Sequence, residues 1–247
     1  MQEFGIPKRI YYYFLGNLYW FTHNTSTHTV LGVRYSMIVK LAAIILALAA
    51  WVYDWGRIPF AISIALIIGI YLAYWSARRS GYFKFVRGKP AYPDDLEYQK
   101  LPPYERVPCI ATGIFSVSDW EKSILLKPAD YWQVPHGDHA LMVEYIHHKY
   151  LYQFFNVPRI KDLQKGWLLY GSHPNPALSI SFLSIWGPEF TKELFNIFRS
   201  EPKPIEPVVR TIYLSFSSLN EEEIICQNIM SDIQQYNTKE KRSGTAN

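Results

Sequence analysis

"KLAAIILALAAWVYDWGRIPFAISIALIIGIYLAYWSARR", Lys40 to Arg79, decides the reading of this chain. Two apolar runs flank a polar break of four residues, Asp54, Trp55, Gly56 and Arg57. A helix rises about 1.5 Å per residue, so about 20 residues cross the roughly 30 Å of hydrocarbon in a bilayer. The first run, Tyr35–Tyr53, is apolar apart from Ser36 and Lys40, and the second, Ile58–Trp75, has no charged residue and one serine, Ser63. Both are long enough to span. An ammonium at mid-bilayer costs about 2.5 to 3.5 kcal/mol, but Lys40 lies near the start of its run and can reach back to the headgroups. The short break predicts a tight antiparallel hairpin, with Pro59 in the first turn of the second helix, where a missing N–H costs nothing. Trp51, Tyr53 and Trp55 fall at one lipid–water boundary, and Tyr71, Tyr74 and Trp75 at the other.

Arg34 and Lys40 precede or begin the first run, and Arg78, Arg79, Lys84, Arg87 and Lys89 follow the second, whereas the break holds Arg57 alone. The positive-inside rule then predicts a two-pass protein of the cell inner or plasma membrane with both termini in the cytoplasm. The first apolar run begins too far from the N-terminus for a cleavable signal. The "NTS" at Asn24 matches a glycosylation acceptor, but this topology keeps it on the wrong side. The five bases Arg78, Arg79, Lys84, Arg87 and Lys89, with no acid among them, are the candidate contact with anionic membrane lipids; their competing role is to set topology alone.

Across 247 residues, aromatics make up 17%, enough to supply both a core and boundary rings. The net charge of +4 is uneven: Tyr104 to Tyr236 carries 15 acids against 11 bases. That balance argues against the clustered cationic face nucleic acid requires, short of a local patch formed by folding, so no nucleic-acid partner is expected. The two cysteines, Cys109 and Cys226, are far apart and in no metal or redox spacing, which predicts two buried thiols rather than a disulfide.

The chain divides into five parts. Residues 1–34 form an aromatic-rich cytoplasmic or interfacial segment, with an interfacial helix from Pro7 to about Phe21 that carries Lys8 and Arg9 at the headgroups, or else a face for a partner subunit. Residues 35–76 are the hairpin, and residues 77–106 a basic, then Pro-rich, linker. Residues 107–236 are a β-rich domain and residues 237–247 a disordered tail without an apolar stripe. From Val107, short runs recur: "VPCIATGIFSV", "SILLK", "DYWQV", "HALMVEYIH", "YLYQFFNV", "GWLLYG" and "ALSISFLSIW". They are rich in Tyr, Phe, Ile and Val and are separated by turn residues, which predicts an antiparallel meander. A helix is expected at about Phe190–Phe198, then one more strand in "VVRTIYLSFSS". Ser218 with Glu221 three residues on reads as a capping box, and Ile225, Ile229 and Ile233 share one face of the helix it starts.

A meander of about seven strands finished by an amphipathic helix resembles the pleckstrin-homology-like (PH-like) fold, whose final helix plugs one open end of a bent sandwich. Behind a two-helix hairpin it is similar to the membrane-anchored bacterial PH-like proteins. The resemblance covers Val107 to Tyr236 and rests on element order; the stretch from Phe190 to Pro207 departs from it. It implies an α+β membrane protein: a transmembrane hairpin, an antiparallel sandwich or barrel, and a C-terminal capping helix.

No reaction is written in the sequence. His136, His139, His147 and His148 are the residues most like metal ligands, but alternation along a strand sends His147 and His148 to opposite faces. There is no nucleophile elbow and no glycine-rich phosphate loop. Headgroup recognition, the function the resemblance implies, needs a cationic pocket, yet in "SDWEKSILLK" Asp119 and Glu121 offset Lys122 and Lys127. Trp120, Trp132, Trp167 and Trp186 are the candidate partner-binding residues, since exposed rings of this size mark partner surfaces. The expectation is a non-enzymatic interaction, scaffold or accessory subunit of a membrane complex, without cofactor or metal, whose partners are membrane lipids and membrane proteins. A membrane-bound enzyme using the histidine-rich strands and an anionic-lipid sensor are the alternatives.

Overall fold

The computed structural model describes residues 4–88, 99–117, 120–134, 140–145, 152–184 and 207–244. Contacts divide the chain into two compact units, Gln2–Lys84 with Leu169–Pro174, and Phe85–Leu168 with Asn175–Asn247. The fold is α+β, with two apolar helices near the N-terminus, an antiparallel sheet and a C-terminal helix.

The first unit begins with α1, Ile6–Thr27, which runs six residues past the expected end at Phe21. Its last turns, "THNTST", are poor helix formers, but they satisfy their hydroxyls within the helix. Thr22, Thr25 and Thr27 donate to the carbonyls of Leu18, Phe21 and His23 at 2.7, 2.7 and 2.9 Å. A two-residue turn at Leu31 and Gly32, both at positive φ, joins the short strands β1 (Thr29–Val30) and β2 (Val33–Arg34). The helices α2, Tyr35–Val52, and α3, Arg57–Arg79, follow, joined by the break that the sequence marks. Most of the buried side chains of this pair are small: Ala47 and Ala50 of α2, and Ser63 and Ala77 beside Tyr74 of α3, with the Ser63 hydroxyl donating to the Pro59 carbonyl at 2.9 Å.

The second unit is built on one eight-stranded sheet in the order β3-β8-β9-β10-β4-β5-β6-β7. The strands are β3 (Lys84–Arg87), β4 (Val107–Val117), β5 (Trp120–Val134), β6 (Ala140–Tyr145), β7 (Tyr152–Asn156), β8 (Ile160–Leu169), β9 (Pro174–Ser184) and β10 (Val208–Ser215). β4 through β7 form an antiparallel meander, and β10 pairs antiparallel with both β9 and β4, so the last strand joins the two halves. β3 forms inside the stretch that sequence reads as linker, and it lies beside β8.

"SILLK" and "DYWQV" are one strand rather than two. Between Ala111 and Gly113 of β4 the register of β5 gains one residue, and Leu126 takes φ 37°. Because side chains alternate with a period of two, the extra residue shifts which positions face inward: Ile124 before the bulge and Ala129 and Tyr131 after it all belong to the core. The broken alternation hid the continuity of the strand.

The closing helix α4, Leu219–Gly244, starts as the cap predicts. Ser218 Oγ accepts the Glu221 N–H at 3.2 Å, while the Glu221 carboxylate reaches one residue further back and accepts from the Ser217 N–H at 3.1 Å. Ile225, Cys226 and Ile229 seat on Val107, Cys109, Phe115, Tyr131, Leu178, Ile180, Ile212 and Leu214. The helix continues through the stretch expected to be disordered as far as Gly244. The segment before β4 is held on this helix too: the Leu101 N–H donates to Asn228 Oδ1 at 3.2 Å, and Asn228 Nδ2 donates to the Gln99 carbonyl at 2.8 Å.

Of the described strand glycines, Gly166 of β8 leaves the least room for a side chain. A Cβ there would lie 2.3 Å from the Val86 carbonyl oxygen and 2.7 Å from the Phe85 ring. Gly166→Ala therefore has to push β3 away and is expected to lower stability by about 1 to 3 kcal/mol, read as a lower chemical-denaturation midpoint of the purified chain. An unchanged midpoint would show that β3 yields freely.

Candidate functional site

Two features of the first unit stand out, an apolar surface and a polar cluster at one end of it. Because the α2/α3 seam is so narrow, the branched and aromatic residues remain outside. Only 17% of the α2 span and 11% of the apolar window of α3 are buried. Both helices are long and apolar enough to cross a membrane: 18 residues give about 27 Å and 23 residues about 35 Å. Trp51, Tyr53 and Trp55 are exposed at the hairpin tip, and Tyr71 and Trp75 toward the other end. Tyr74 departs from that expectation. It is buried, and its hydroxyl shares a 2.6 Å hydrogen bond with Thr25 Oγ1 of α1.

Tyr74 belongs to a cluster that sequence spacing does not suggest. Lys40 Nζ lies over the rings of Tyr71 and Tyr74, 5.0 and 5.1 Å from their centroids, so this ammonium rests on two π faces. His23, buried on α1, holds Nδ1 3.0 Å from the Tyr170 hydroxyl, and its ring meets those of Tyr82 and Tyr170 edge-on at 5.4 and 5.7 Å. Burial pushes the Tyr170 hydroxyl above its ordinary pKa, so it stays protonated at neutral pH. Gly16 and Gly171 complete the arrangement: the Gly171 N–H donates to the Gly16 carbonyl at 2.9 Å, and a Cβ on Gly16 would lie 2.4 Å from the Gly171 oxygen.

Of the candidate bases, Arg78, Arg79, Lys84 and Arg87 are all exposed. Arg78 and Arg79 are exposed in the last turn of α3, with the Arg79 guanidinium 5.4 Å from the centre of the Trp75 ring. Lys84 sits over Tyr11 at 5.9 Å, and Arg87 ends β3, exposed. Lys89 lies outside the described residues. Of the candidate tryptophans, Trp167 is 4% exposed and so is an interior residue rather than a docking ring, because β8 is covered on both faces in its second half. Trp132 is half-buried, with the Arg106 guanidinium stacked 3.9 Å from its ring centre and held by Asp130 at 3.5 Å. Trp120 opens β5, and Trp186 lies outside the described residues.

His136, His139, His147 and His148 also lie outside them. Among the described residues no three His, Cys, Asp or Glu side chains are grouped to hold a metal ion. Cys109 and Cys226 are free and buried in the domain core. Burial dominates both thiols, raising Cys109 strongly and pushing Cys226 up to about 12, so neither is a thiolate at neutral pH. At the start of α4, Lys165 pairs with Glu223, and Glu223 also accepts from Gln227 at 2.8 Å. Comparison of the chain with protein-family models, with curated proteins and with solved structures finds no match.

Three outcomes check the Tyr74 cluster and the two thiols. Tyr74→Phe removes one hydrogen bond and leaves Thr25 to its intrahelical carbonyl, so stability should fall by about 0.5 to 1.5 kcal/mol, measured by thermal unfolding in detergent. The thiols should stay unreactive toward iodoacetamide from pH 7 to 9 and react on unfolding. Because the folded pKa of Cys226 is raised, its contribution to stability is whole below the ordinary thiol range and is lost as pH climbs toward about 12, the unfolded chain releasing its proton first. Cys226→Ala should flatten the fall in melting temperature over that window.

Proposed function

We propose that this chain is a membrane-anchored, non-enzymatic interaction subunit. In this reading α2 and α3 cross the bilayer as a hairpin, with both termini and the sheet domain on the cytoplasmic side. One observation carries it: two adjacent helices leave more than four fifths of their apolar length outside while a separate sheet unit closes its own core. A soluble protein has no reason to leave such a surface in water. The charge pattern supports the orientation, since Arg34, Lys40, Arg78 and Arg79 gather at one end of the hairpin, and at the tip Asp54 offsets Arg57.

The seven consecutive strands β4 to β10, closed by α4 over the core, support a PH-like domain. Its role is to bind protein partners within a membrane assembly. Trp132 with its stacked Arg106 is the aromatic and arginine pair best suited to a partner surface.

Membrane fractionation and cysteine accessibility test this directly. The chain should resist alkaline extraction from membranes. A maleimide that cannot cross the membrane should label Trp55→Cys in intact cells and Ala246→Cys only after permeabilisation. Extraction into the aqueous fraction, or labelling of position 246 from outside, would overturn the placement.

A further inference from the structure

The helix period of α1 separates two faces. Gly16, Tyr19, Thr22 and His23 are buried on one side, and Ile6, Ile10, Tyr13, Phe14, Trp20 and Phe21 are exposed on the other. Beyond the basic first turn the outward face carries no charge: Asn17 supplies one amide, which already donates to the Tyr13 carbonyl at 2.8 Å, and the other polar groups are the Tyr13 hydroxyl and the Trp20 indole N–H, the kind that a lipid–water boundary favours. The face therefore offers large apolar and aromatic area with its amide already engaged. A protein interface of standard kind carries about one hydrogen bond per 100 to 200 Å², whereas a bilayer boundary asks for none and favours Tyr and Trp rings.

Charge and position point the same way. From Phe4 to Tyr53 the chain contains no Asp or Glu, while Lys8 and Arg9 stand in the first turn of α1. The hydrogen bond between Thr25 and Tyr74 ties the last turns of α1 to the end of α3 that carries Arg78 and Arg79, and Tyr11 lies under Lys84 just beyond that end. The β1–β2 turn, also at the start of α2, presents Leu31 at 98% exposure. The polar side of α1, with Thr22 and His23, makes it unfit to cross the hydrocarbon itself.

We propose that α1 is an interfacial helix whose outward face, from Ile6 to Phe21, is covered by the headgroup region of an anionic bilayer rather than by protein. This rests on the membrane reading of α2 and α3 and adds a third contact with lipid, one that lies on the surface and fixes the depth of the cationic end of the hairpin.

The test uses the full chain in vesicles of phosphatidylcholine and phosphatidylglycerol. Single cysteines at Ile10→Cys, Phe14→Cys and Phe21→Cys carry a fluorophore; the buried native thiols do not compete for it. These positions are exposed, so the substitutions leave the packing of α1 intact, and three of them guard against one label perturbing the helix. Ile45→Cys and Leu66→Cys report on the spans. The expected result is loss of emission at all three α1 positions to a nitroxide carried near the lipid headgroup, with protection from aqueous iodide, and loss at Ile45 and Leu66 to a nitroxide deep in the acyl chains. Iodide quenching along α1 while the span labels still respond to lipid would overturn the proposal alone. Protection from both quenchers at α1 would show a protein cover, such as a second copy of the chain, and would overturn it equally. Silence toward lipid at Ile45 and Leu66 as well would bring down the membrane reading itself.

Discussion

The narrow seam between α2 and α3 is the constraint on which the first unit depends. Ala47, Ala50 and Ser63 let two helix backbones approach, and in doing so they leave nearly all the branched side chains on the outside. A helix pair in a soluble core does the reverse and buries its largest residues. Small side chains where two helices meet let their backbones come into close van der Waals contact. The polar exceptions are handled individually: Ser63 bonds back to Pro59, and Lys40 lies over two tyrosine rings.

The sheet unit is held by different physics. Its interior is formed by alternating residues from β4, β5, β9 and β10 and by one stripe of α4, so it carries its own hydrophobic core. Two local devices make that core close. The bulge at Leu126 rephases β5 so that both of its halves face inward, and the absence of a side chain at Gly166 lets the β3 backbone approach β8. Asn228 then uses both ends of its amide to fasten Gln99 and Leu101, which turns part of a Pro-rich segment into an ordered edge of the unit.

The elements carried by local chemistry were legible. Runs of apolar residues marked α2 and α3, Asp54 to Arg57 marked their turn, and Ser218 with Glu221 marked the start of α4. The elements that depend on distant partners were not. β3 is four residues long and half basic, and it exists because β8 lies beside it. Trp167 reads like any other strand aromatic, and only the covering of both faces of β8 makes it interior. The cluster of His23, Thr25, Tyr74, Tyr82 and Tyr170 joins residues up to 147 positions apart, and no spacing in the sequence foretells it.

By itself the sequence determined where the chain is apolar, where it is basic and where it turns, because hydropathy, charge and capping are properties of neighbours a few residues apart. The tertiary structure alone decided which aromatic rings are buried, where α1 and α4 end, and which backbone positions had to be glycine. Those outcomes follow from close packing between segments distant in sequence, and a side chain's fate there is set by what arrives to cover it.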